Sequence, residues 1–247
     1  MESCILITGA SSGIGRAIAV QLSKENRLIV HGRDPGRLEE TRDKCLDSAR
    51  HVLWPQDLTD EEQVGASLAR LVAERRLVVS GFVHCAGILK LIPLRSSDLP
   101  LTRQVMKVNF VSALEIVRAL LRKKVNQEQL RSVVFISSIS SRFGARGFGI
   151  YSASKAALDS LMKTLAVELA PAVRVNSILS GAIRTPMTEQ VFANPDLATR
   201  FEHDYPLGIG EPADVAQMTE FLLSRKSKWV TGQEIVLDGG RSIDISM

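Results

Sequence analysis

Cysteine is scarce in this chain, and its histidines are not grouped. Only three of the 247 residues are cysteines (Cys4, Cys45 and Cys85), and no two of them form a Cys-x-x-Cys pair. The four histidines lie far apart along the chain. A small, odd number of cysteines argues against a disulfide framework, and the lack of a Cys/His cluster argues against a zinc site. These absences favour a cytoplasmic protein without a bound metal.

Long apolar runs and blocks of like charge are also missing. No stretch approaches the ~18 apolar residues of a membrane-spanning helix. The first candidate strand begins at Cys4, so we expect no signal peptide before it. The 31 basic and 27 acidic residues leave a net charge of +4, and the basic residues are scattered. Neither a membrane nor a nucleic acid is therefore expected as a partner.

Short apolar runs alternate with helical patterns along the whole chain. Continuous apolar runs are typical of strands buried on both faces of a parallel sheet. The predicted strands are Ile5–Ile7, Leu28–His31, His51–Trp54, Val78–His84, Ser132–Ile136, Val173–Leu179 and Glu234–Leu237. The predicted helices are Gly13–Glu25, Pro35–Ser48, Asp60–Arg75, Leu101–Lys123, Tyr151–Ala170 and Pro212–Ser224. This alternation predicts one α/β domain over residues 1–247, a doubly wound parallel sheet with helices on both faces.

A glycine-rich turn joins the first predicted strand to the first predicted helix. It reads Thr8-Gly9-Ala10-Ser11-Ser12-Gly13-Ile14-Gly15. Glycines allow a tight turn and a close approach of backbone to a pyrophosphate, which then meets free N–H groups at the positive end of the helix. Three residues separate the first two glycines, unlike Gly-x-Gly-x-x-Gly, and a purely structural turn is the alternative. The expected phosphate-binding residues are Gly9, Ser11, Ser12, Gly13, Ile14 and Gly15.

Tyr151 and Lys155 stand four residues apart in a segment of helical character. On a helix, this spacing places both side chains on one face, so an ammonium group is held near a phenol. A free tyrosine has a pKa of about 10, and a fixed positive charge lowers it. We therefore expect Tyr151 to be a general acid/base near neutral pH, with its pKa lowered by about 2–3 units.

With Ser138 and Asn109, these motifs resemble the short-chain dehydrogenase/reductase family in its compact single-domain form. Ser138 lies thirteen residues before Tyr151, and Asn109 lies further upstream. The resemblance runs from Ile5 to about Gly240, with the motifs in the family's order and spacing. It implies a Rossmann-like fold, an NAD(P) cofactor and a catalytic set of Asn109, Ser138, Tyr151 and Lys155.

The resemblance also implies a role for each catalytic residue. Ser138 would hydrogen-bond the substrate oxygen, although a serine-rich turn that satisfies backbone groups is the alternative. Lys155 would lower the pKa of Tyr151 and hydrogen-bond the nicotinamide ribose. Asn109 would position a water that links Lys155 to solvent. The implied reaction is a reversible hydride transfer between the nicotinamide and a small-molecule carbonyl or alcohol, with Tyr151 exchanging the proton.

The residues after the second predicted strand favour NADP(H) over NAD(H). By the resemblance, Gly32 occupies the position where NAD-selecting members carry an acidic side chain, and Arg33 is placed to meet a 2′-phosphate. Asp34 is a rival, because it lies nineteen residues after Gly15, near the spacing of a ribose-binding carboxylate. However, Asp34-Pro35 is typical of a helix N-cap followed by proline. NAD dependence stays open as the alternative.

The resemblance places further cofactor contacts along the chain. They are Asp57 at the adenine, Leu58, Ala86, Gly87, Asn109, Tyr151, Lys155, Gly181, Ile183 and Thr185. Two departures from the family pattern stand nearby: His84-Cys85 replaces an Asn-Asn pair, and Ser180 replaces a proline. The proline-containing stretch from about 184 to 211 is expected to close over the substrate.

Substrate and assembly are less well defined by the sequence. Candidate substrates include 3-oxoacyl thioesters, cyclic ketones and sugar derivatives, and Arg142, Arg146 and Arg184 flank the predicted pocket. The resemblance implies a homotetramer, with a dimer as second choice. A non-catalytic dinucleotide sensor, an extended-branch epimerase or dehydratase, and an interaction protein are the rival functions. We disfavour them because the catalytic set is complete and the chain ends soon after Gly240.

Overall fold

Parallel strands form one seven-stranded sheet in the structure, a computed structural model that describes residues 2–192, 199 and 203–243. The strands are β1 (Glu2–Thr8), β2 (Arg27–Gly32), β3 (Val52–Pro55), β4 (Leu77–His84), β5 (Ser132–Ser138), β6 (Arg174–Ser180) and β7 (Glu234–Leu237). Their order across the sheet is β3-β2-β1-β4-β5-β6-β7, and every pairing is parallel. The predicted doubly wound parallel sheet is confirmed.

Helices follow the strands as the alternation predicts. They are α1 (Gly13–Leu22), α2 (Pro35–Asp43), α3 (Glu61–Glu74), α4 (Leu99–Met106), α5 (Ser112–Leu121), α6 (Lys123–Asn126), α7 (Gly149–Glu168), α8 (Glu189–Phe192) and α9 (Pro212–Leu223). Within the described ranges, none of them is both long and apolar enough to cross a membrane.

The core lies on both faces of the sheet. In β5, Val133 and Phe135 join one apolar cluster, and Val134 and Ile136 join the other. Alternate side chains of a strand point to opposite faces, so a strand that is apolar at every position must be covered twice. One cluster contains residues of α3, α5 and α7, and the other contains residues of α1, α2 and α9.

The helix predicted over Leu101–Lys123 is confirmed as far as Leu121, but it contains a π-helical turn that was not predicted. The structure has α4 and α5 joined by a π-helical turn, Lys107–Val111, and α4 begins two residues earlier than predicted. The earlier start follows from Asp98, whose side chain accepts a hydrogen bond of 2.8 Å from the backbone N–H of Leu101. π-turns of this kind commonly mark functional positions, and this one carries Asn109.

The strand order reverses between β1 and β4. β1 pairs with β2 on one side and with β4 on the other, and Thr8 lies opposite His84 where β1 and β4 end. In an open parallel sheet, ligands bind beyond the carboxyl ends of the strands at such a reversal. We therefore expect the ligand site to lie at the loops that follow Thr8 and His84.

Candidate active site

A cleft opens at this point, and most of the residues expected to bind a cofactor line it. It extends from the loops after β1 and β2 to α7 and the loop after β6. The predicted residues that line it are Gly9, Ser11, Ser12, Gly13, Ile14, Gly15, Arg33, Asp57, Leu58, Ala86, Gly87, Tyr151, Lys155 and Thr185. Cys85, noted above as a departure from the family pattern, also lines it, together with residues not predicted from the sequence: His31, Arg37, Ile88, Val108, Ile136, Ser137, Pro186 and Met187.

Two glycines of the turn have a backbone that a side chain would disturb. Gly9 has a φ of 68°, and a Cβ there would lie 2.6 Å from the Cα of Ala86. Gly13 has a φ of 51°, and a Cβ there would lie 3.2 Å from the side chain of Thr185. Positive φ and close approach both select glycine. The turn is thus pressed against the loop after β4 on one side and the loop after β6 on the other.

The N-terminus of α1 faces the cleft with its first N–H groups uncapped. Ser12 is the N-cap residue, but its side chain makes no capping hydrogen bond, and no acidic residue lies in the first turn. Uncapped N–H groups and the helix dipole together favour an anion. The glycine turn, where Gly9 and Gly13 have no side chain, and this helix end together fit the pyrophosphate of a dinucleotide.

Arginines lie at the β2 end of the cleft. Arg33 and Arg37 both line it and are exposed. Asp34 does not line it, because its carboxylate caps α2 by accepting a hydrogen bond of 3.1 Å from the N–H of Arg37. The N-cap interpretation of Asp34 is therefore confirmed. Space beside Gly32 is limited, since a Cβ there would lie 3.2 Å from the Cβ of Ser11.

Asp57 keeps its charge at this end of the cleft. Its carboxylate accepts hydrogen bonds of 2.9 Å from both the N–H and the hydroxyl of Thr59. The backbone hydrogen bond from Thr59 is the largest cause that lowers the pKa of Asp57, and Arg33 contributes further. The carboxylate is thus held by its own loop and still borders the cleft.

Two buried histidines hold the loops around the cleft, and one of them was not predicted from the sequence. His31 Nε2 contacts the carbonyl of Gln56 at 3.0 Å, while the N–H of Gly9 donates to its Nδ1 at 3.4 Å. Burial lowers the pKa of His31 to about 4, so its ring is neutral at physiological pH. The neutral ring therefore ties the glycine turn to the loop that carries Asp57.

His84, one of the two departures from the family pattern, is the other buried histidine. Thr8 Oγ1 accepts from the N–H groups of Cys85 and Ala86 at 3.2 and 3.3 Å, so its own proton goes to His84 Nδ1 at 2.9 Å. Burial lowers the pKa of His84 to about 3. The neutral imidazole thus joins the ends of β1 and β4, which an asparagine at this position would also do through its amide.

Tyr151 and Lys155 meet in the cleft on the same face of α7. Lys155 Nζ lies 5.7 Å from the centre of the Tyr151 ring, within the range of a cation–π contact. The ammonium donates a hydrogen bond of 2.8 Å to the carbonyl oxygen of Ile136 in β5. The side chain of Lys155 is only 4% exposed, so its position is fixed by packing.

The expected low pKa of Tyr151 is wrong for the chain by itself. Burial raises the pKa of Tyr151 to about 12, and a hydrogen bond with Ser138 offsets only part of this effect. Burial likewise lowers the pKa of Lys155. Desolvation penalises the charged form of each group, and sequence spacing carries no information about burial. In this state Tyr151 is a neutral phenol at neutral pH.

Asn109 lies behind the cleft and connects three segments. Its Oδ1 accepts from the N–H of Ile88 at 2.7 Å, and its Nδ2 donates to the carbonyl of Ile88 at 3.1 Å and to the hydroxyl of Ser154 at 2.9 Å. Ser154 donates in turn to the carbonyl of Tyr151 at 2.6 Å. The sequence missed Ser154, although a serine three residues after Tyr151 could have indicated it. The water-positioning role of Asn109 stays a prediction.

Ser138 lies at the end of β5, where its hydroxyl both stabilises a turn and lies near Tyr151. Its Oγ accepts hydrogen bonds from the N–H and the hydroxyl of Ser140 at 3.2 and 3.0 Å, which caps the turn Ile139–Ser141. Because Oγ accepts from Ser140, its own proton is free to be donated toward the Tyr151 side, where the two hydroxyls interact. The turn-stabilising role and the proximity to Tyr151 therefore coexist.

Of the three cofactor contacts predicted in the loop after β6, one lines the cleft and two do not. Thr185 reaches the cleft, whereas the side chain of Ile183 joins the apolar core and Gly181 packs against Asp238. The stretch predicted to cover the substrate, about 184 to 211, includes residues 193–198 and 200–202, which lie outside the described residues.

Two of the three arginines expected beside the substrate have partners of their own. Arg142 forms an ion pair with Glu234. The guanidinium of Arg184 lies 5.1 Å from the ring centre of Phe192. Neither side chain contributes to the lining of the cleft. Their expected role in attracting an acidic substrate gains no support from this geometry.

Known proteins resemble this chain over nearly its whole length. Residues 9–242 match the family model described as enoyl-(acyl carrier protein) reductase. The chain is 29% identical over 249 residues to L-rhamnose-1-dehydrogenase of Scheffersomyces stipitis, covering 98% of this chain and 96% of that protein. It is 32% identical over 246 residues to a 3-oxoacyl-[acyl-carrier-protein] reductase of Thermotoga maritima, covering 95% and 96%. A solved structure of a 4-hydroxyisoleucine dehydrogenase mutant with NADH and succinate is similar with a TM-score of 0.90 at 28% identity, covering 98% and 100%.

The fold, the cleft and these matches define a dinucleotide-dependent oxidoreductase that acts on alcohols or carbonyl compounds. The chain belongs to the short-chain dehydrogenase/reductase family. The resemblance inferred from the sequence motifs is thus confirmed.

Proposed function

We propose that this enzyme reduces a ketone or aldehyde to an alcohol, reversibly, with NADP(H) as cofactor and Tyr151 as general acid/base. The observation that carries the proposal is the meeting of Tyr151 and Lys155 in the same cleft as the glycine turn. A proton-transfer group beside a dinucleotide cradle suits hydride transfer to or from an oxygen-bearing carbon.

The preference for NADP(H) is supported by the charges at the β2 end of the cleft. Arg33 and Arg37 can bind a 2′-phosphate through charge-assisted hydrogen bonds. Gly32 offers no carboxylate to a ribose 2′-hydroxyl, and Asp34 is engaged as a helix cap. The neighbouring Asp57 would lie near the adenine by family resemblance. These side chains therefore favour NADP(H), whose adenosine ribose carries a 2′-phosphate, over NAD(H), whose ribose carries a hydroxyl there.

The proton chemistry follows from the state of Tyr151. When bound, the nicotinamide supplies or accepts the hydride. The high pKa of Tyr151 keeps its phenol protonated at neutral pH, ready to donate to the oxygen of a carbonyl substrate. The Ser138 hydroxyl would stabilise negative charge on that oxygen, and the Lys155 ammonium would stabilise the phenolate that remains. In the oxidation direction, Tyr151 must first lose its proton, so alkaline pH favours that direction.

Absorbance of NADPH and NADH tests the activity. We expect NADPH to be consumed with 3-oxoacyl thioesters or cyclic ketones, or NADP⁺ to be reduced with sugars, a panel that includes the substrate classes named for the two relatives. Tyr151→Phe should lower kcat by about 10²–10⁴-fold, since that is the contribution of a general acid, while NADPH still binds. Tyr205→Phe, which alters the chain's other tyrosine outside the cleft, is the matched control.

Two results would contradict the proposal. Full turnover by Tyr151→Phe on an identified substrate would show that another group exchanges the proton. Tight binding of NADPH by the unaltered enzyme, with no turnover on any carbonyl or alcohol, would favour the dinucleotide-sensing alternative instead.

We also propose a homotetramer, with a dimer as second choice. Large apolar side chains lie exposed on the surface: Val167 on α7, Phe221 on α9 and Trp229 in the following turn, which is 96% exposed. Exposed apolar groups of this size are typical of protein interfaces. Light scattering at micromolar concentration should give about four times the 27.0 kDa mass of the chain. A mass of one chain would refute the assembly.

A further inference from the structure

A buried carboxylate continues the catalytic face of α7. Tyr151, Lys155, Asp159 and Lys163 follow one another at intervals of four residues, so all four share one side of the helix. Asp159 is only 4% exposed. Aspartate is seldom buried in this way unless it is paired or hydrogen-bonded. Asp159 therefore needs a structural or functional reason.

Lys155 and Asp159 bind neighbouring residues of β5. The Lys155 ammonium donates to the carbonyl oxygen of Ile136 at 2.8 Å, and Ser137 donates its hydroxyl proton to Asp159 Oδ2 at 2.8 Å. The next residue is Ser138, whose hydroxyl faces Tyr151. From the other side of the strand, the hydroxyl of Ser180 donates to the carbonyl of Ser137 at 3.1 Å. The end of β5 is thus held in place by polar contacts from both sides.

The charge of Asp159 has few other partners. Among the described residues, its Oδ1 has no hydrogen bond of good geometry, although the hydroxyls of Ser141 and Ser177 lie near the carboxylate. Glu234 also lies near Asp159 and repels it. The surface cations Arg142 and Lys163 do not neutralise the charge of Asp159, because both form ion pairs with Glu234. The buried cation next to Asp159 on the helix is Lys155.

The ionisation of Lys155 responds to Asp159, whereas the pKa of Asp159 itself is set by burial, by neighbouring hydroxyls and by Glu234. Burial raises the pKa of Asp159 and lowers the pKa of Lys155, so each ion by itself is destabilised. The negative charge of Asp159 opposes the effect of burial on the pKa of Lys155. Besides Asp159, the titratable groups that act on Lys155 or respond to it are Cys85 and His84, and burial keeps both neutral. Tyr151 contacts Lys155 through its ring and is also kept neutral by burial.

We propose that Asp159 is a positioning residue for the reaction proposed above. Its carboxylate stabilises the positive charge of Lys155, and through Ser137 it holds the end of β5 from which Ser138 projects. The proposal rests on the proposed function for its consequence in catalysis, but the effect on Lys155 can be measured without any turnover.

The test replaces Asp159 with asparagine. Asp159→Asn retains an acceptor for Ser137 and nearly the same volume, but it removes the charge. The ionisation of Lys155 is followed by NMR of protein labelled with carbon-13 at the lysine Cε, and Lys155→Met identifies its signal. The negative charge of Asp159 favours the ammonium form of Lys155, so removing that charge lowers the pKa of Lys155. We therefore expect the midpoint of Lys155 to fall by about one pH unit in Asp159→Asn, the lower end of the effect of a nearby opposite charge.

Asp43→Asn is the matched control, because Asp43 is an exposed aspartate on α2 and should leave the midpoint unchanged. If Asp159→Asn does not fold, which circular dichroism shows, Asp159→Ser replaces it, since serine is small and suits the neighbouring hydroxyls. A Lys155 midpoint that is the same in the folded variant and in the unaltered protein would overturn the proposal.

The pH profile of the reductase reaction supplies a second test of the role of Asp159. The reductase reaction needs both Lys155 and Tyr151 in their protonated forms, and the negative charge of Asp159 raises the pKa of both groups. The alkaline limb of the reductase pH profile should therefore move to lower pH in Asp159→Asn. A merely structural role would lower thermal stability without moving this limb. Should Tyr151→Phe prove fully active, the proposed function fails, and the NMR result still decides whether Asp159 acts on Lys155.

Discussion

Replacing Asn109 with alanine should weaken both the fold and the reaction. Its side-chain amide makes three hydrogen bonds, two to the backbone of Ile88 and one to Ser154, and it is completely buried. A typical intramolecular hydrogen bond contributes about 1 kcal/mol net, and a buried group left without a partner costs about 1–3 kcal/mol. Asn109→Ala should therefore lower the free energy of unfolding by about 3–4 kcal/mol.

Asn126→Ala is the matched control for Asn109→Ala, because Asn126 is an equally buried asparagine in another part of the fold. Asn126 is equally buried and also binds one residue's backbone, accepting from the N–H of Val79 at 2.6 Å and donating to its carbonyl at 2.8 Å. It lies beside the start of β4, at the opposite end of the sheet from the cleft. With two hydrogen bonds lost, Asn126→Ala should cost about 2–3 kcal/mol.

Urea unfolding and turnover, measured at one protein concentration, separate the two effects. With a urea slope of about 2–3 kcal/mol per M, the midpoint should fall by about 1 M or slightly more in each variant. At a temperature where both variants are folded, only Asn109→Ala should lose activity. Its loss removes the support of the loop after β4 and of the Ser154–Tyr151 contact.

Two outcomes would refute this reasoning. An unchanged urea midpoint in Asn109→Ala would mean that the three hydrogen bonds contribute nothing net. Equal activity in the folded Asn109→Ala and Asn126→Ala variants would mean that Asn109 is a structural residue only.

Two further predictions concern cofactor choice and acid stability. Arg33→Gln should weaken NADPH binding by about 10–100-fold, the effect of losing a charge-assisted hydrogen bond, and leave NADH binding almost unchanged, as fluorescence titration can show; the exposed Arg75→Gln is the control, and equal loss for both cofactors would contradict the assignment. Burial lowers the pKa of His31 to about 4 and of His84 to about 3, from 6.5, so below pH 6.5 the unfolded chain binds more protons than the folded one. The free energy of unfolding should therefore fall by about 2 kcal/mol per histidine between pH 7 and pH 5, and His84→Asn should remove about half of that loss. A urea midpoint that is unaffected by this pH change would refute it.

Much of the fold could be predicted because local pattern and topology agree. Apolar runs such as that of β5 fit a strand covered on both faces, and the glycine turn before α1 marks the first crossover. The helix start at Pro35 was also readable, since Asp34 caps it through its own side chain. The π-turn around Asn109 was not predicted, because it coincides with side-chain hydrogen bonds to a loop that is distant in sequence.

The order of the residues was enough to predict which groups come together: a glycine turn, the phenol of Tyr151 and the amine of Lys155. Their spacing depends only on helix periodicity and on the order of strands. Their ionisation could not be predicted in this way, because it depends on the fold: burial raises the pKa of Tyr151 and lowers that of Lys155. Desolvation depends on every segment packed around a group, and Asp159 became part of the site only when α7 was laid against β5.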